Sequence, residues 1–181
     1  LTKFNSFDIM LISGSLMILA ASLTAAHNRI VKVITRVLFV VVFLLPVFGF
    51  GKYMDNHTVK TQWKKYNAIF HGDSIYSNIV MVKKEEQYTL FSNGMPVMNA
   101  PVPNIEFVEE FAHLPLLHRD SPENILLIGG GAGGLLNELL KYPVRKITYV
   151  ELDPMVINTI KKFPTQLTAG ELGDPRVNLV Y

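Results

Sequence analysis

A run of six residues, GGGAGG at 129–134, has the type and spacing of a ligand-binding turn. Gly129, Gly131 and Gly134 satisfy the pattern G-x-G-x-x-G between an apolar, strand-like run and a helical pattern. Glycine allows the backbone to turn sharply and to approach a ligand where a Cβ atom would collide. The start of the following helix offers unpaired N–H groups. The pattern therefore predicts a turn that holds a nucleoside-bearing ligand.

A carboxylate completes this predicted site. Glu151 lies at the carboxyl end of the next apolar strand, where an acidic side chain accepts hydrogen bonds from both ribose hydroxyls. Asp153 is better placed to cap the helix that begins at Pro154. The turn and Glu151 fit NAD as well as a ligand of the S-adenosylmethionine type, and the glycine pattern alone does not separate them.

The elements around these residues predict an α/β fold. Residues 105–181 are predicted to form a helix (IEFVEEFAHLPLL), an almost wholly apolar strand (NILLIG), a second helix, a second strand (KITYVELD) and a third helix. Strands that are apolar on both faces indicate a buried parallel sheet with right-handed crossovers. We expect the first part of a Rossmann-like nucleoside-binding domain, with DPRVNLVY leading to a third strand.

The preceding residues predict smaller elements. YSNIVMV and YTLFSNGMPV alternate like strands, and Asn93-Gly94 is a two-residue turn signal, so residues 75–104 predict a small β-hairpin region. Residues 55–74 are polar and are predicted to form a linker.

Two uncharged apolar runs, 9–26 and 37–50, predict two transmembrane helices within residues 1–54. A bilayer core requires roughly 20 apolar residues on a helix. The second run reaches that length if it starts near Val33 and Arg36 snorkels to the interface. A secretory signal and two buried helices of a soluble protein are the alternatives.

Charge gives no topology for a helical hairpin. Cations lie both between the runs, from Arg29 to Arg36, and after them, from Lys52 to Lys65, and a hairpin cannot place both groups on the cytoplasmic side. The chemistry favours a cytoplasmic soluble domain on an integral protein of the cell inner membrane.

Composition limits the remaining classes. The net charge of +2 gives no basis for nucleic-acid binding, and the absence of cysteine removes disulfides, thiolate metal sites and cysteine nucleophiles. Because the chain starts at Leu1 rather than Met and stops in an apolar run at Tyr181, we expect a fragment.

The chain resembles the spermidine synthase family, the polyamine aminopropyltransferases. AHLPLL, ENILLIGGGAGGLLNELLK, ITYVELD and DPRV carry the resemblance, and YSNIVMV and LFSNGMPV are similar to the family's N-terminal β region. The family moves an aminopropyl group from decarboxylated S-adenosylmethionine to putrescine without a metal. Some bacterial members carry membrane helices before the catalytic domain, and members are often homo-oligomers.

The resemblance implies roles for specific residues. Those that it places at the nucleoside are Gly129, Gly130, Gly131, Gly133 and Glu151. Those that it places near the amine substrate are Tyr76, Glu109 and His113. The catalytic residues are expected beyond Tyr181.

Several positions depart from the family pattern. The aspartate of the family's GGGDGG turn, which helps to hold the donor's amine, is Ala132 here. The family's Tyr-Gln pair is Tyr76-Ser77, and its polyamine-contacting tyrosine and the neighbouring residue are Phe107 and Val108. These changes remove hydrogen-bonding and anionic groups, each worth roughly 1.5–3 kcal/mol to a bound cation.

Four hypotheses follow. The first is a membrane-anchored aminopropyltransferase. The second is another S-adenosylmethionine-dependent transferase, such as a methyltransferase. The third is a non-catalytic nucleoside-binding membrane protein, and the fourth is an NAD oxidoreductase, which would have no use for the upstream β region or for HLPL.

Overall fold

The computed structural model describes residues 5–24, 29–117 and 122–181. The chain forms two compact units, one up to Lys64 and one from Lys65 to Tyr181. His118, at the end of the helical pattern before the parallel strands, lies outside the described residues.

The first unit is helical. Its helices are α1 (Ser6–Thr24), α2 (Arg29–Leu44) and α3 (Phe50–Gln62), and α1 packs against both of the others. Among the described residues, α1 is the one helix whose length and apolar composition would allow it to cross a membrane. Signal sequences and buried helices share those properties, so the two predicted membrane helices are not both supported.

The helix at the second predicted membrane span ends inside its apolar run. It ends at Leu44, because Pro46 lies in the turn that follows and Gly49 adopts a left-handed conformation with φ 73°. The sixteen residues of α2 span about 24 Å along the helix axis, which is less than the thickness of about 30 Å of a bilayer's hydrocarbon core. Arg29, Lys32 and Arg36 also lie in its first half.

The predicted linker at 55–74 contains regular structure instead. Helix α3 continues to Gln62, and strand β1 occupies Ala68–Asp73. Strand β1 gains its backbone hydrogen bonds from a neighbouring strand, a tertiary contribution that local polarity does not reveal.

The second unit begins with a four-stranded antiparallel sheet in the order β1-β2-β3-β4. Strand β2 is Asn78–Lys84, β3 is Gln87–Ser92 and β4 is Met95–Ala100. Asn93 and Gly94 have φ values of 50° and 78°, as a two-residue hairpin turn requires, so the predicted turn is present. The predicted hairpin is thus the centre of a larger sheet.

An alternating parallel α/β layer follows. Its elements are α4 (Ile105–Leu116), β5 (Asn124–Ile128), α5 (Leu135–Leu139), β6 (Lys146–Val150), α6 (Pro154–Lys162), α7 (Gln166–Gly173) and β7 (Val177–Val180). The three strands are parallel in the order β5-β6-β7. Helix α7 was not predicted, since Gly170 and Gly173 interrupt its apolar pattern.

One hydrophobic core joins the two layers of this unit. Ile79, Met81 and Leu90 come from the antiparallel sheet, and Leu136 and Ile147 come from the α/β layer, all fully buried. The carboxyl ends of β5 and β6 are therefore held in a fixed position, and the candidate ligand-binding residues lie at those ends.

Candidate nucleoside site

The glycine turn connects β5 to α5 and needs glycine for two physical reasons. Gly129 and Gly130 have φ values of 70° and 63°, a left-handed region that other residues rarely adopt. At Gly131 the reason is steric, because a Cβ atom would lie 2.8 Å from Leu127 Cδ2 and 2.9 Å from Tyr149 Cε2. The backbone of the turn can thus lie directly on β5 and β6.

Glu151 follows β6 immediately and is almost fully buried. The Tyr149 hydroxyl donates a hydrogen bond of 2.7 Å to Glu151 Oε2, and the Asp153 N–H donates one of 3.3 Å to Oε1. Each carboxylate oxygen accepts more than one hydrogen bond. Glu151 is therefore oriented by the protein and can still accept hydrogen bonds from two ligand hydroxyls.

Tyr149 links the two halves of the site. Its hydroxyl donates to Glu151 and lies close enough to the backbone of Gly131 and Ala132 for these groups to influence its pKa. Burial, and then the hydrogen bond and the negative charge of Glu151, raise the pKa of Tyr149 above its usual value. The hydroxyl consequently stays protonated and acts as the donor to Glu151.

Asp153 ties the site to the antiparallel sheet. Its Oδ2 accepts hydrogen bonds from the hydroxyls of Ser74 at 2.6 Å and Ser77 at 2.8 Å, both in the turn between β1 and β2. Its Oδ1 accepts the N–H of Met155 at 3.0 Å and so caps α6, as the sequence predicted. This contact fixes the turn that carries Tyr76.

A cavity of about 300 Å³ lies between these groups. It is lined by three of the predicted site residues, Tyr76, Gly130 and Glu151, together with Ala132 and Asp153. The exposed ring of Tyr76 lies at its edge, where an aromatic ring can cover an adenine or an amine. The structure therefore brings the predicted ribose acceptor and the glycine turn to one cavity.

A second cavity of about 440 Å³ adjoins the first at Gly130 and Ala132. Gly129 and Gly133 line it, opposite the apolar side chains of Phe107 and Phe111 on α4. Asn99 and Asn104 supply polar side chains, and no carboxylate of the described residues lines it. Its chemistry therefore differs from that of a site for a multiply charged polyamine.

Glu109 and His113, the other two predicted substrate residues, line neither cavity. Glu109 is exposed on α4. His113 Nδ1 lies 2.6 Å from the Tyr142 hydroxyl, and its Nε2 lies 3.4 Å from Glu138 Oε2, so it joins α4 to α5. A substrate role for these two residues stays a prediction without support from their position.

Sequence reasoning missed one further group, the carboxylate of Glu171 on α7. It is buried, and it accepts hydrogen bonds from the backbone N–H groups of Gly133 and, at 3.0 Å, Gly134. Burial raises the pKa of Glu171, and the backbone N–H groups oppose this by stabilising the charged form. A lone glutamate between two glycines gave no signal in the sequence.

Comparison with known proteins shows similarity to one family of enzymes. The family model of the spermine/spermidine synthase domain matches residues 106–181. The chain is similar to the polyamine aminopropyltransferase of Bacillus subtilis, with 40% identity over 118 residues that cover 64% of this chain and 42% of the relative. It is 30% identical to that of Clostridium perfringens over 132 residues, 71% of this chain and 46% of the relative.

Solved structures agree. The crystal structure of spermidine synthase from Thermotoga maritima has a TM-score of 0.56 and 29% identity, covering 63% of this chain and 39% of that chain. A spermidine synthase in complex with the transition-state analogue AdoDATO gives the same values. The chain spans less than half the length of these relatives. The predicted family resemblance is confirmed: the second unit has the α/β fold of the spermidine synthases, and residues 106–181 match the model of the spermine/spermidine synthase domain.

Proposed function

We propose that the protein is an aminopropyltransferase that moves the aminopropyl group of decarboxylated S-adenosylmethionine to an amine such as putrescine. The observation that carries the proposal is the meeting of Glu151 and the glycine turn at one cavity, within a domain of the matching family. A solved spermidine synthase with a similar fold is in complex with the transition-state analogue AdoDATO.

The reaction is a displacement at carbon. The lone pair of a neutral amine forms a new N–C bond as the C–S bond of the sulfonium breaks, and the sulfur keeps the bonding pair in methylthioadenosine. The new ammonium group then loses a proton to a base. In this chain Glu151 would hold the ribose hydroxyls and Gly130 would allow the adenosyl ligand to approach, so that the reacting carbon is fixed in position.

The test uses the full-length protein in detergent with decarboxylated S-adenosylmethionine and putrescine. We expect spermidine and methylthioadenosine in equal amounts by mass spectrometry. Glu151→Gln should lose most of this activity, whereas Glu123→Gln, a matched change at a half-exposed surface residue, should retain it. Absence of both products, with methylthioadenosine still bound, would exclude the transferase with this acceptor.

A second candidate is another S-adenosylmethionine-dependent transferase, such as a methyltransferase. The observation that favours it is the second cavity, whose described lining has Ala132 and two phenylalanines and no carboxylate. Transfer of a methyl group to an added amine or hydroxyl acceptor, with S-adenosylmethionine as donor in the same assay, would distinguish it.

We also propose that the first unit anchors the chain in the cell inner membrane. Support comes from α1, which carries no charge after Asp8 and has exposed apolar side chains such as Leu16, Met17 and Leu23. The start of α3 at Gly51 lies against Asp8 at the start of α1, so the two groups of cations do not fall on one side of such a span. The chemistry of the adenosyl ligand, rather than the cations, favours the cytoplasm for the second unit.

A further inference from the structure

The glycine turn already holds an anion that belongs to the protein. Glu171 is only 1% exposed, and its two carboxylate oxygens accept the N–H groups of Gly133 and Gly134. The backbone of Asn137 also favours the charged form of this carboxylate. In the described part of the chain no cationic side chain forms an ion pair with Glu171, so backbone N–H groups offset its charge.

These amides are the kind of donor that a glycine-rich turn offers to a ligand's phosphate. Here a phosphate would have to displace Glu171 or lie beside it. Two anions near each other, away from bulk water, repel strongly because the surrounding dielectric constant is low. A neutral or cationic group in the same place meets no such repulsion.

The position of the turn relative to Glu151 determines which part of the ligand would lie near Glu171. If Glu151 holds the 2′ and 3′ hydroxyls of a ribose, the 5′ substituent extends toward the other wall of the cavity, which Gly130 and Ala132 form. Gly133 lines the adjoining cavity. The 5′ substituent is a phosphate in nucleotides and dinucleotides, and a sulfur group in sulfonium nucleosides and thioethers.

We propose that Glu171 determines the specificity of the nucleoside site, selecting adenosyl ligands with a neutral or cationic 5′ substituent against 5′-phosphorylated nucleotides. Glu171 acts through the turn and is not itself a catalytic residue. The inference rests on the nucleoside site of the proposed function, and it extends that function by excluding NAD-type ligands on physical grounds.

The test measures the affinities of the full-length protein for methylthioadenosine and AMP by calorimetry. We expect the wild-type protein to prefer methylthioadenosine by about a hundredfold, which corresponds to about 2.8 kcal/mol, because like charges brought together weaken binding. Glu171→Gln keeps the shape and removes the charge, and should reduce this ratio by at least about tenfold. Glu138→Gln is the matched control, a buried glutamate on α5 that pairs with Lys141, and should leave the ratio unchanged.

A purely structural role for Glu171 would lower both affinities equally in Glu171→Gln, and an unchanged ratio would therefore overturn the proposal. If that variant does not fold, Glu171→Asp retains the charge and should keep the wild-type ratio. A wild-type protein that binds AMP as tightly as methylthioadenosine would also overturn the proposal. A protein that binds neither ligand would instead contradict the nucleoside site, and with it the proposed function.

Discussion

At the scale of single residues, the hydroxyl of Tyr149 holds the ribose acceptor in place. It lies in the core between the glycine turn and Glu151, and it is the side chain that orients the carboxylate. Without the hydroxyl, Glu151 would remain buried with one backbone donor at 3.3 Å. A buried carboxylate with too few hydrogen-bond donors lowers the stability of the folded protein. The loss of stability on removing the Tyr149 hydroxyl therefore measures its hydrogen bond to Glu151.

We therefore predict that Tyr149→Phe lowers the free energy of unfolding by about 1.5–3 kcal/mol, the range for hydrogen bonds to charged groups. Tyr142→Phe, which removes a hydroxyl bonded to His113, should cost only about 0.5–1.5 kcal/mol. Urea titrations followed by circular dichroism would measure both. Methylthioadenosine affinity should also fall in Tyr149→Phe alone. Equal losses of stability, with affinity unchanged, would assign Tyr149 to packing only.

Residue spacing predicted the nucleoside residues better than the amine residues. The backbone of a strand-turn-helix-strand unit fixes the positions of the glycine turn and Glu151. The pattern predicted the turn and Glu151, the family resemblance added Gly130, and Gly130 and Glu151 line one cavity. Glu109 and His113 were named from the family frame of α4, and the direction of a helical side chain depends on how the helix packs. His113 turns toward Tyr142 and away from the cavities.

At the scale of elements, the contact between the β1–β2 turn and the start of α6 builds one edge of the site. The Ser74 hydroxyl makes more of the hydrogen bonds in this contact than the Ser77 hydroxyl does. Its hydroxyl donates to Asp153 and accepts the N–H groups of Tyr76 at 3.0 Å and Ser77 at 2.9 Å, whereas the Ser77 hydroxyl contacts Asp153. The turn is thus organised by one side chain and anchored by two.

We predict that Ser74→Ala accelerates amide hydrogen exchange in residues 74–77 more than Ser77→Ala does, because it removes the acceptor for two backbone N–H groups as well as one bond to Asp153. Exchange measured by mass spectrometry would resolve the turn. Thr89→Val removes a side-chain bond of 2.8 Å to Asn99 in the same sheet and should leave the turn unaffected. Equal exchange in wild type and Ser74→Ala would show that backbone pairing alone orders the turn.

Elements were predictable where the local pattern and the tertiary partner agree. The parallel strands β5 and β6 follow short, mostly apolar runs, and the Asn93-Gly94 turn is fixed by local backbone conformation. The expected burial of both faces is not observed in β5, where Leu126 and Ile128 are exposed. Strand β1 depends on its pairing with β2, and α7 depends on a capping box at Thr165 and Thr168 and on the burial of Glu171. Those interactions join residues that are unremarkable in sequence, so periodicity did not find them.

At the scale of the whole molecule, the chain combines a helical unit with an α/β unit of the spermidine synthase fold. The cations give contradictory topology signals for a hairpin of two membrane spans. The packing of the first unit does not remove this contradiction, because the start of α3 at Gly51 lies against Asp8 near the start of α1. One span and a hairpin of two spans differ in the sides of the membrane on which the ends of the first unit lie.

This difference can be measured with single cysteines, since the chain has none of its own. Ser6→Cys, at the start of α1, and Thr58→Cys, on the exposed surface of α3, would flank one span or a pair of spans. A membrane-impermeant maleimide should label Ser6→Cys and Thr58→Cys from the same side of the membrane, because the start of α3 lies against the start of α1. Labelling from opposite sides, in spheroplasts for one and in inverted vesicles for the other, would show that α1 is a single span and that this packing does not form in the membrane. The wild-type protein, which has no cysteine, controls for background labelling. If carbonate washing released the protein from the membranes into the supernatant, membrane insertion itself would be contradicted.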